Sequence, residues 1–88
     1  MTRMDEFIAK LGSLPEGHAD YIHDGRRYGG TLSVSADRRR FWFYAEELGG
    51  TDRISCNLYL LAGGKPLLRP CDMPAEKVVD FVIRCEQA

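Results

Sequence analysis

Cys71 has the strongest case for chemistry in this chain. It stands in Arg69-Pro70-Cys71-Asp72-Met73-Pro74, immediately before a predicted helix. Amide dipoles at a helix N-terminus favour a thiolate, which would suit a thiol-dependent reductase or redox accessory. Yet no histidine base lies near it in sequence, and no second cysteine is close enough to resolve a sulfenic acid. The ordinary alternative is a structural or merely exposed thiol.

Other reactive residue types have weaker spacing. Cys56, Cys71 and Cys85 are an odd, widely spaced set with no C-x-x-C, so they form neither a disulfide framework nor a zinc knuckle. Reduced, partly buried thiols are the expectation. His18 and His23 have no fixed spacing to Cys56 or Cys71 that would define a metal site, and they read as solvated histidines. Glu46 and Glu47 are adjacent, diverge on a strand, and make a poor acid–base pair. Gly63-Gly64-Lys65 is followed by Pro66 where a phosphate loop needs Ser or Thr, and no helix follows at once. No metal or cofactor is implied.

The elements that would carry these residues can be read from periodicity. Met4, Phe7, Ile8 and Leu11 give a helical stripe over residues 2–11, with Thr2 as N-cap and Gly12 as the stop. Residues 18–23 suit a short strand, and Asp24-Gly25 is a hairpin signal. Residues 26–35 alternate cleanly, with Tyr28, Gly30, Leu32 and Val34 on one face. Strands follow at 39–46 and 53–61, and a short edge strand at 66–68. A second helix spans 73–86, with Asp72 as cap and Pro74 in its first turn. The fold class is α+β: an antiparallel meander of three to five strands, with the N-terminal and C-terminal helices packed on one face.

Composition bounds the partners. Eighty-eight residues make a single domain that buries about 60–65% of its unfolded surface. The chain is 44% hydrophobic and 28% charged, with a net charge of −1, which argues against a nucleic-acid module. The helix–strands–helix order invites comparison with double-stranded-RNA-binding domains. The second helix, however, opens Asp72-Met73-Pro74-Ala75-Glu76 instead of with a lysine cluster. Arg38-Arg39-Arg40 and Arg26-Arg27 fall at opposite ends of one strand, ~25 Å apart, and read as solvated turns. No apolar run approaches a membrane span, no signal peptide is evident, and the cytoplasm is the expected location.

The feature that resists this simple picture is Arg40-Phe41-Trp42-Phe43-Tyr44. Neighbouring side chains on a strand point to opposite faces, so two rings go each way. Leu58-Tyr59-Leu60-Leu61 is likewise apolar on both faces. A two-layer fold covers one face only. Three coverings are open for the other: the 48–52 loop with arginine stems, a homodimer or protein partner, or a small-molecule groove. The interface reading is preferred, with Trp42, Tyr44, Tyr59, Leu61 and Arg40 as its residues.

Residues 26–82 also carry a resemblance. The segments Phe43-Tyr44-Ala45-Glu46-Glu47-Leu48-Gly49-Gly50-Thr51-Asp52, Asn57-Leu58-Tyr59 and Arg69-Pro70-Cys71-Asp72-Met73-Pro74-Ala75-Glu76-Lys77-Val78 resemble a set of short uncharacterised proteobacterial proteins of about this length. Some of those carry a peptide methionine sulfoxide reductase label. Such reductases present a catalytic cysteine in a Gly-Cys-Phe-Trp type motif. This chain has Arg40-Phe41-Trp42 with no cysteine before the rings, which leaves Cys71 as the sole candidate nucleophile for that activity.

Overall fold

A computed structural model describes residues 2–88. The elements are α1 (Arg3–Ser13), β1 (Gly17–His23), β2 (Arg26–Val34), β3 (Arg40–Glu47), β4 (Arg53–Leu60), β5 (Pro66–Pro70), α2 (Ala75–Arg84) and β6 (Glu86–Gln87). All strands pair antiparallel in one sheet of order β5-β4-β3-β2-β1-β6. The sheet therefore has six strands, one more than the upper expectation. The sixth follows α2, which carries the chain back across the sheet so that Glu86 pairs with Ile22 and Gln87 with Tyr21.

Local chemistry sets most boundaries. Thr2 caps α1 in a capping box: its hydroxyl accepts from the Asp5 N–H while the Asp5 carboxylate accepts from the Thr2 N–H. Gly12 does not stop α1, which runs to Ser13 and is capped at Leu14. The Asp24-Gly25 hairpin places both residues at positive φ, 51° and 77°, as a two-residue primed turn requires. Asp72 does not cap α2. It sits at φ 56°, in the left-handed region, and the N-cap is Pro74, which offers no side-chain hydrogen bond.

One face of the sheet carries the whole core. Tyr21, Tyr28, Leu32, Phe41, Phe43, Ala45, Ile54, Cys56 and Leu58 are buried there. They form one cluster with Phe7 and Leu11 of α1 and with Val78, Val79, Phe81 and Val82 of α2. Both helices thus serve the same face, which supports the two-layer expectation. Phe43 lies at its centre, with ring centroids 5.8 Å from Tyr21 and 6.1 Å from Phe81. Gly30 makes room for Tyr21, because a Cβ there would stand 2.8 Å from the Tyr21 ring. Lys10 ties the helices together by donating from Nζ to the carbonyls of Ile83 and Cys85 near the C-terminal end of α2.

Both edges of the sheet are short. β5 spans five residues and carries Pro66 and Pro70, which have no N–H to offer a further strand. β6 is two residues long.

Candidate functional site

Alternation along β3 divides the aromatic run. Phe41, Phe43 and Ala45 turn to the helices and are buried; Arg40, Trp42, Tyr44 and Glu46 turn to the opposite, outer face. The uncovered ring set is therefore Trp42 and Tyr44. Among the described residues, every outer-face side chain on β2, β3, β4 and β5 is half-buried or exposed, and neither helix contributes to that side.

Register assembles the face row by row. Trp42 is flanked by Ser33 on β2 and Asn57 on β4, and Asn57 by Arg69 on β5. Tyr44 lies between Thr31 and Ser55, Arg40 pairs with Tyr59, and Glu46 pairs with Arg53. The Trp42 and Tyr44 rings are parallel within 7°, with centroids 6.1 Å apart, inside the range for paired aromatics. The Arg40 guanidinium sits 5.7 Å from the Tyr59 centroid, a cation–π contact that orients both groups. Tyr44 donates from its hydroxyl to the Glu46 carboxylate at 3.2 Å, and that acceptor pushes its phenol pKa upward.

The structure thus brings Arg40, Trp42, Tyr44 and Tyr59 together on paired strands, with Leu61 just past the end of β4. Leu61 is exposed there, where the chain enters a 3-10 turn at Ala62–Gly64. Arg69 joins them. It was missed because the edge strand was expected to end at residue 68, whereas β5 runs to Pro70. A shallow cavity of about 340 Å³ lined by Ser33, Val34, Ser35, Arg40 and Trp42 lies at the β2–β3 side of the face. Leu48, about half exposed, lies over Gly29 on the outer face of β2, where the His18 ring also sits.

Charge on the molecule is unevenly placed. Arg39, Arg40 and Lys65 at the end of the sheet holding the β2–β3 and β4–β5 turns, and Arg69 level with Trp42, have no carboxylate within ion-pair distance among the described residues. Asp37 is an acid of the β2–β3 turn. Its carboxyl is held below the usual range by the Ser35 hydroxyl and the Arg39 N–H. The opposite end gathers Asp20, Asp24, Glu46, Glu47, Asp52, Asp80 and Glu86, interleaved with Arg26, Arg27, Arg53, Lys77 and Arg84.

Cys71 is exposed, as a nucleophile must be, but α2 begins at Ala75, so the thiol lies outside the first turn whose dipole was to activate it. Its N–H is already engaged by the Ser55 carbonyl, which continues the β4–β5 pairing. Cys56 and Cys85 are buried, and burial pushes the Cys56 thiol up to about 12.

His23 corrects the expectation of a solvated side chain. It packs against Phe81 with centroids 4.9 Å apart, and its Nε2 lies 3.1 Å from the Asp80 carboxylate. Arg84 bridges Asp80 and Asp24 beside it. The contact spans 57 residues, and only the even alternation of Tyr21 and His23 hinted at it. Nearby, Asp52 accepts from the Tyr28 hydroxyl at 2.7 Å and from Lys77 Nζ at 2.6 Å. Among the described residues no group of three or more His, Cys, Asp or Glu side chains is placed to hold a metal ion, and no helix is long and apolar enough to cross a membrane.

Comparisons with protein-family models, curated proteins and solved structures return no match.

Proposed function

We propose that this protein is a small non-enzymatic interaction domain that associates, with itself or with a protein partner, through the outer face of its sheet. One observation carries the reading: Trp42, Tyr44 and Tyr59 stand side by side with Arg40 on a face that both helices leave uncovered. Tryptophan, tyrosine and arginine are the side chains that concentrate binding energy at interfaces, because rigid rings and a planar cation lose little freedom when covered. Three free cysteines are compatible with a reducing compartment and support a cytoplasmic setting for this association.

Solution molar mass across a concentration series tests the reading. Association should be present in the wild type and weakened by Trp42→Ala and Tyr44→Ala, with circular dichroism unchanged. Association that both variants leave intact would put the interface elsewhere.

A further inference from the structure

Resting on that reading, we infer that the occupant of the outer face is a second copy of this chain, packed face to face with its strands reversed. The β3 outer row reads Arg40, Trp42, Tyr44, Glu46 along the strand. Two facing sheets can be related by a two-fold axis in the plane between them, either along the strands or across them. An axis along the strands lays Arg40 on the partner copy's Arg40 and basic end on basic end. An axis across the strands, passing between Trp42 and Tyr44, lays Arg40 on Glu46 and Trp42 on Tyr44, each pair occurring twice.

The neighbouring row obeys the same operation. On β4 the outer residues are Arg53, Ser55, Asn57 and Tyr59. Reversal sets Arg53 over Tyr59, a cation over a ring, and Ser55 over Asn57, two groups that hydrogen-bond to each other. On the wider face, Arg40 and Arg69 occupy the half towards the β2–β3 turn. Asp20, Glu46 and Glu86 occupy the other half, together with Arg53, the register partner of Glu46, and Arg27, which leans on Asp20 at 3.7 Å. Charge therefore selects the reversed arrangement over the parallel one. Twist rotates packed sheets by about 30°, so the match is held best at β3, near the middle of the strand order.

Area is sufficient, though small. The six strands, seven, nine, eight, eight, five and two residues long in chain order, occupy ~4.8 by ~3.3 Å per residue and so offer a face of about 620 Å². Covering it on two copies removes ~1,200 Å² from water, the lower bound for a specific interface.

The test is charge exchange followed by molar mass, with Arg40→Glu and Glu46→Arg made singly and together; both side chains are exposed, so folding is spared. Each single variant faces like charge on like charge and should raise the dimer dissociation constant at least about tenfold. Mixing the two single variants, or combining both changes in one chain, should restore the dimer. If Trp42→Ala dissociates the dimer but mixing restores nothing, the reversed arrangement is wrong while the face remains the interface. If the wild type is monomeric at every concentration, self-association fails. A mobility shift with a single-stranded oligonucleotide would then assign the face to nucleic acid.

Discussion

Truncating neighbouring rings of β3 should have opposite consequences, and the difference can be worked from burial. Phe43→Ala opens a hole between Tyr21 and Phe81 in a site that is fully buried. The loss combines transfer of the ring with a cavity that the surrounding core cannot close, ~3–5 kcal/mol. Trp42 is half-buried on a face open to water, which fills the space when the indole is removed. Only the transfer part is lost, ~1–2 kcal/mol. At ~4–8 °C per kcal/mol for a domain of this size, Phe43→Ala should melt at least ~4 °C below Trp42→Ala. The measurement is thermal denaturation by circular dichroism at a concentration low enough to suppress association, since a dimer raises its own melting point by mass action. Equal melting points, or a lower one for Trp42→Ala, would refute the division of the strand into a core side and an open side.

Gly30→Ala should lower the melting point by roughly 5–15 °C, because the new methyl meets the Tyr21 ring at 2.8 Å where Phe43 blocks its retreat. Gly12→Ala, within α1 and with nothing within 4 Å, should raise it slightly. Asp52 gives a pH dependence. Lys77, and after it the Tyr28 hydroxyl, hold its carboxyl below the usual range. A folded pKa below the unfolded value adds stability above about pH 4 that is lost as pH falls through the folded pKa. Asp52→Asn should therefore cost ~1 kcal/mol near neutrality, a figure reduced for the partly solvated pair, and flatten the acid limb of the melting curve.

Much of this fold is visible in residue spacing because a period of two leaves little freedom. Once Tyr28, Leu32, Phe43, Cys56 and Leu58 face one way, Trp42, Tyr44, Asn57 and Tyr59 must face the other. The Asp24-Gly25 turn is equally local, since its backbone conformation selects its residues. What escaped the sequence depends on distant chain. β6 exists because α2 delivers Glu86 beside Ile22, and Glu86-Gln87 has no strand signal of its own. His23 is covered by Asp80 and Phe81, residues of the last helix. Cys71 looked activated only while Asp72 was taken as the cap; its left-handed backbone moves the helix start to Ala75 and leaves the thiol outside. The Arg40-to-Glu46 polarity was legible but carried no meaning until register set β4 and β5 beside it.

The prolines of β5 and the brevity of β6 bear on how far any assembly can go. A sheet that recruits strands at its margins has no natural stopping point and tends toward fibres. Here the margins offer little to recruit with, and the one broad surface is used up when two molecules meet across it. Growth would end at the pair, leaving a closed particle whose outside is helix and charge.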